Sequence, residues 1–211
     1  MTVWKAAGDA GGSMRIIGIT GGAGAGKTKA LAYIKSKYHC EVILADEVAH
    51  KIKEPGEKCY DSLVDLLGKD VLAPDGKIDK GKMAEKIFGD ISLLGKVNGL
   101  IHPMVKEYIL EEIRRLKEEG KTDFLFIEAA LLIECGYEDI VDELWYVHAK
   151  EEVRRRRLKT FRKYTEEKIA GILNSQLTEE EFRGHCKTVI DNSGSLADTY
   201  RQIDRKLEEY L

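Results

Sequence analysis

Proline is scarce in this chain: three residues in 211, where average usage would give roughly ten. Pro55, Pro74 and Pro103 all lie before residue 120, so most of the chain is free to form long helices. No stretch approaches the roughly 18 consecutive apolar residues of a membrane-crossing helix. Residues 1–13 are small and Gly-rich but lack the apolar run of a secretory signal. They are read as a flexible leader, and no membrane partner is expected. The four cysteines, Cys40, Cys59, Cys135 and Cys186, form no C-x-x-C pair and no tight cluster with histidine. The expectation is free thiols in a reducing compartment, and so a cytoplasmic protein, rather than a disulfide framework or a structural zinc site. An excess of charge is missing too: 34 basic against 37 acidic residues argues against a globally basic nucleic-acid binder. What remains is a chain with enough apolar residues to bury a core, long enough for one domain with an insertion.

The hydrophobic pattern supplies the organisation. Short apolar, β-branched runs stand at residues 15–20 (RIIGIT), 40–44 (CEVIL), 123–127 (DFLFI), 143–148 (ELWYVH) and 188–191 (TVID). Charged or helix-periodic segments separate them. Apolar strands alternating with helices imply a parallel sheet covered on both faces, so the expected fold class is α/β with a five-stranded parallel sheet. Residues 57–120 contain no convincing strand. Ile101, Met104, Val105, Tyr108, Ile109 and Ile113 recur there at helical spacing, with Pro103 expected to start or kink that helix. The segment is too long for a simple crossover and reads as a helical insertion. Ser195 is placed to cap a closing amphipathic helix whose buried face is Leu196, Tyr200, Ile203 and Leu207.

The strongest chemical signal is Gly21-Gly22-Ala23-Gly24-Ala25-Gly26-Lys27-Thr28, which fits G-x-x-x-x-G-K-[ST] with a strand before it and a helix after it. Glycines let the backbone wrap phosphate oxygens, and its N–H groups together with the helix N-terminus favour the anion. Lys27 would reach the β- and γ-phosphates and the Thr28 hydroxyl would bind Mg²⁺, so ATP and Mg²⁺ are the expected cofactors. No Asn-Lys-x-Asp guanine-reading segment is present, and the chain is short for a motor. A small-molecule kinase with a three-layer P-loop core is the economical reading. Asp46, just after the second strand, is placed either to take a proton from an acceptor hydroxyl or to cap the next helix. Glu128, ending the third strand, is either an acidic group near Mg²⁺ or a solvent-facing charge. Residues 150–163 hold eight basic and two acidic side chains. Most read as a solvated helix face, but one or two arginines could clamp a phosphoryl group in flight.

In order along the chain, IIGITGGAGAGKT, ILADEVAH, PDGKIDKGKMAEKIF, NGLIHPMV, ALLIE, ILNSQ and VIDNSG together resemble the dephospho-coenzyme A kinase family. The P-loop is generic; the ordered set is specific. The resemblance implies transfer of the ATP γ-phosphoryl group to the ribose 3′-hydroxyl of dephospho-CoA, the last step of CoA biosynthesis. It implies a P-loop core (14–55, 121–149 and 187–211), a helical CoA-binding domain (56–120) and a helical lid (150–186). It gives Asp46 the position of the general base. Arg157 matches a lid arginine, with Arg154 one turn earlier toward ATP, and Arg162 stands beside Phe161 where a second is expected. The resemblance sets Asn192 beside the adenine. His102, in the His-Pro pair, is either a substrate-side residue or a packed or capping one. A small-molecule substrate is implied, with the chain a monomer or weak homo-oligomer.

Five positions depart from the family pattern: Leu44 and His50 where Asp and Arg are usual, Ala130 for the Pro of the PLL segment, and Cys186-Lys187 for an Ala-Asp pair. They leave open a divergent kinase with the same activity, a kinase for another nucleoside or nucleotide, or a non-catalytic ATP-binding regulator. Retention of Lys27, Thr28 and Asp46 favours preserved kinase chemistry.

Overall fold

A computed structural model describes residues 14–129 and 131–211; the leader and Ala130 lie outside the described residues. Five strands, β1 (Arg15–Thr20), β2 (Cys40–Leu44), β3 (Phe124–Glu128), β4 (Glu143–His148) and β5 (Thr188–Asp191), form one parallel sheet in the order β2-β3-β1-β4-β5. Side chains alternate between two cores because a strand turns successive residues to opposite faces. Ile17, Ile19, Phe126, Trp145 and Val147 meet α1 (Lys27–Lys37) and the closing helix α9 (Leu196–Glu208) through Ile34, Ile203 and Leu207. Leu125, Ile127, Leu144 and Tyr146 face the other way. There they join the core formed by α2 (Ala45–Lys51), α3 (Tyr60–Leu67), α5 (Ile91–Glu119) and α8 (Glu179–His185). Between α3 and α5 runs the short, largely exposed α4 (Lys80–Ile87). Helices α6 (Glu151–Arg162) and α7 (Glu166–Asn174) carry the chain from β4 to α8.

The expected α/β three-layer architecture is present, and two local expectations need correction. Of the two expectations for Pro103, a helix start is not met: it lies inside α5, which runs from Ile91 to Glu119. Proline removes the hydrogen bond to the carbonyl four residues back. That residue is Gly99, and both Gly99 and Pro103 face solvent, where water can satisfy the orphaned carbonyl. Ser195 does cap α9, accepting from Asp198 N at 3.2 Å. Its first turn, however, buries Thr199 rather than Leu196. The Thr199 hydroxyl donates to Asn192 Oδ1 at 2.9 Å, a polar contact that turns this face of α9 inward. Tyr200 takes its expected place, stacked on Tyr33 with centroids 3.8 Å apart. The four cysteines are free thiols, and no helix among the described residues is long and apolar enough to cross a membrane.

Candidate active site

The strand order places β1 centrally, between β3 and β4, and all five strands point the same way, so their C-terminal ends share one edge of the sheet. In open α/β sheets that edge is where ligands bind. Register brings Ile19, Glu128 and Leu44 into one row. The loop Gly21–Thr28, the carboxylate of Glu128 and the residues just beyond Leu44 therefore gather at that edge.

The loop turns through positive φ at Gly21, Gly24 and Gly26 before entering α1. All three glycines also permit close approach, Gly21 to the Val147 carbonyl oxygen. At Gly24 (φ +78°) a Cβ would come within 2.9 Å of the Arg154 carbonyl oxygen, so α6 rests against the loop backbone. Gly26 (φ +100°) is the N-cap of α1, and a Cβ there would strike the Asn192 carboxamide. The first amides of α1 have no intrahelical acceptor and point out of the helix toward the loop, the ready-made anion site of a helix N-terminus. Lys27 bends back over the loop: its Nζ donates to Gly21 O at 2.6 Å and lies 3.4 Å from Glu128 Oε1. Glu128 is thus not a solvent-facing strand end; its side chain and that of Lys27 are only 17% and 15% exposed.

Arg154 and Arg157 of α6 both reach the loop. Arg154 Nε donates to Ala23 O at 2.9 Å. Arg157 spans three carbonyls: Nη1 donates to Gly24 O at 3.3 Å and Ala25 O at 3.2 Å, and Nη2 to Asn192 O at 2.8 Å. Burial lowers the proton affinity of each guanidinium below the ordinary arginine value, and neighbouring Arg156 lowers Arg157 further. Asn192 is buried, its Nδ2 donating to Ala25 O at 2.7 Å and its Oδ1 accepting from Thr199. Its carboxamide ties the end of β5 to the loop. Arg162 and Phe161 sit exposed at the end of α6.

Asp46 is the second residue of α2, exposed, in a first turn whose N-cap position is held by Leu44 without a side-chain cap bond. Capping is therefore not its role. Thr28 is exposed in the first turn of α1. His102 is placed elsewhere: half-buried in α5, with Nδ1 3.3 Å from Cys135 Sγ in the segment after β3. His50 is exposed at the far end of α2, where it lines a 150 Å³ cavity with Lys53 and Lys80. Burial first, then these two lysines, lower its proton affinity below the ordinary histidine value. Pattern reading assigned no role to Gln176, which follows α7 yet meets the loop at Ala23 N, 3.1 Å away. Its presence in the ILNSQ segment was the only signal.

Comparison with known proteins agrees with this geometry. Residues 15–198 match the family model described as dephospho-CoA kinase. The dephospho-CoA kinase of Carboxydothermus hydrogenoformans is 33% identical over 195 residues, covering 92% of this chain and 94% of that protein. This chain belongs to the dephospho-CoA kinase family. The crystal structure of TT1252 from Thermus thermophilus superposes with a TM-score of 0.78 at 30% identity, covering 93% of this chain and 97% of that one. The dephospho-CoA kinase from Campylobacter jejuni shares the fold with a TM-score of 0.69 at 24% identity, covering 92% and 96% of the two chains. As a member of a kinase family the chain uses ATP, which accords with the phosphate-binding loop at its strand ends.

Proposed function

We propose that this protein transfers the γ-phosphoryl group of ATP to the ribose 3′-hydroxyl of dephospho-CoA, giving CoA and ADP. The observation that carries this reading is the strand-end edge itself. There a complete P-loop, the Lys27–Glu128 pair and the exposed carboxylate of Asp46 stand at the C-terminal ends of the adjacent parallel strands β1, β3 and β2, inside a chain of this family.

In the proposed reaction the Gly21–Thr28 amides hold the nucleotide phosphates. Lys27 trades its bond to the Gly21 carbonyl for phosphate oxygens. Asp46 orients the acceptor hydroxyl and takes its proton as the new O–P bond forms and the bond to the β-phosphate bridging oxygen breaks. The arginines Arg154 and Arg157 stand where a closing lid can offset the spreading negative charge, with Arg162 held in reserve. Most of the acceleration is then positioning and electrostatics. Mg²⁺ fits this donor set. Among the described residues no cluster of three or more His, Cys, Asp or Glu could cage a metal, and Mg²⁺ bound with ATP needs only one or two protein oxygens. The exposed Thr28 hydroxyl would supply one, and the ion would contribute positive charge against the phosphates. Residues 56–120 are assigned to acceptor binding and 150–186 to the lid. The reading places the enzyme in the cytoplasm as a monomer or weak homo-oligomer. It keeps Asn192 beside the adenine and His102, in contact with Cys135, on the acceptor side.

The test is ADP release by the purified chain with ATP, Mg²⁺ and dephospho-CoA, with the product checked for a 3′-phosphate and nucleosides offered as competing acceptors. Asp46→Asn should lower turnover about 10²-fold or more while ADP binding stays near wild type. Near-normal turnover in that variant would overturn the assignment of the base. Nucleotide binding without acceptor-dependent release would favour a regulator instead.

A further inference from the structure

The phosphate-binding loop already holds an oxygen. Gln176, in the connection between α7 and α8, places its Oε1 between two donors: Ala23 N at 3.1 Å and Arg154 Nη2 at 2.5 Å. Arg154 is itself tied to the loop through Nε and Ala23 O. One backbone amide and one guanidinium converging on one oxygen is the arrangement a P-loop prepares for a phosphate oxygen. Gly22 makes the approach possible, since a Cβ there would come within 2.8 Å of the same Oε1. The surrounding lid does not need this contact to fold. Helix α8 begins with a complete capping box between Thr178 and Glu181, and Phe182 stacks on Tyr146 with centroids 4.7 Å apart.

We propose that Gln176 is an internal stand-in for a nucleotide phosphate oxygen, a plug that ATP or ADP must displace from Ala23 N and Arg154. The proposal rests on nucleotide binding at the P-loop and is independent of which acceptor the enzyme uses. A carboxamide oxygen carries only a partial charge, so a phosphate oxygen outcompetes it at the same donors. The competition still lowers apparent affinity by the fraction of molecules that are plugged. Displacement also exchanges the Arg154 partner from the α7–α8 connection to the nucleotide, so that filling the loop unlatches that connection. Gln176 thereby sets nucleotide affinity and couples it to the lid.

The experiment is calorimetric titration of the full-length wild type, Gln176→Ala and Gln176→Glu with ADP, inorganic pyrophosphate and adenosine, with folding checked by circular dichroism. Removing the plug should tighten ADP and pyrophosphate binding about two- to tenfold, the range of one net hydrogen bond, and leave adenosine unchanged. Gln176→Glu should weaken both phosphate ligands, because a carboxylate holds Arg154 by full charge and repels phosphate. Gln176→Met, of similar length without a strong acceptor, carries the same expectation as alanine should that variant fail to fold. Unchanged or weaker ADP binding in the plug-free variants overturns the proposal, as does an equal change for adenosine. Wild-type protein that binds no ADP overturns the P-loop reading together with the plug. Wild-type binding with unchanged variants overturns the plug alone.

Discussion

Gly26 shows how much a single residue carries here. Its φ of +100° begins α1, and the Asn192 amide that donates to Ala25 O leaves no room for a side chain. Gly26→Ala should therefore cost about 1–3 kcal/mol of stability through backbone strain and weaken ADP binding, measured by chemical denaturation and by titration. His50 offers a second check. Burial, Lys53 and Lys80 hold its imidazole below the ordinary histidine value. In an NMR titration its midpoint should fall below that of an unperturbed histidine, and Lys80→Met should raise it. A depressed folded value means the unfolded chain binds the proton more readily. The contribution of this neutral imidazole is thus present above the unfolded histidine pKa and declines as pH falls through it and then through the folded value. Other residues illustrate the limits of reading one position at a time. Asp46 was either a base or a cap until the geometry at Leu44 removed the cap. His102 sits beside Cys135, a partner that no spacing announces.

At the scale of elements, α5 is the clearest case. Periodicity over residues 101–113 marks a helix, but its extension back to Ile91 runs through a proline that pattern rules treat as a boundary. The boundary does not form because Gly99 and Pro103 lie on the wet side of the helix, while Val97, Val105, Ile109 and Ile113 stay buried. Pro103→Ala restores the bond to the Gly99 carbonyl and should raise stability by about 1 kcal/mol or more. Thermal unfolding checks this; a lower midpoint would mean that proline at this position is needed for packing. A different joint holds α1 to α9. Asp204 accepts from Tyr33 Oη at 2.8 Å and Tyr38 Oη at 2.7 Å and pairs with Lys37 Nζ at 2.6 Å. Asp204→Ala leaves these donors without their acceptor and should cost about 1–3 kcal/mol, again read by unfolding.

Across the whole molecule, a net charge of −3 conceals a strongly basic stretch at residues 150–163. Residues 150–186 are tied to the core through Arg154, Arg157 and Gln176 on the loop and through Phe182 on Tyr146, among other contacts. Phe182→Ala deletes a buried aromatic anchor at an expected cost of about 3–5 kcal/mol. Hydrogen exchange should quicken first in residues 166–185, while β1 and β3 amides remain protected. Uniform loss of protection would show that lid and core unfold as one unit.

The strands, the phosphate loop and the family were legible along the chain because each is a contiguous pattern. Glycine placement, side-chain alternation and Lys-Thr after the last glycine act through local backbone geometry. The helical stretch between β2 and β3 was legible for the same reason, as a long interval without a strand. The partners of those patterns were not. That β1 lies between β3 and β4, that Glu128 meets Lys27, that Asn192 braces Ala25 and that Gln176 enters the loop 153 residues away from Ala23 all follow from how buried faces stack. Contacts over such separations are selected by packing and by the need to satisfy buried polar groups, and neither leaves a spacing in the sequence to read.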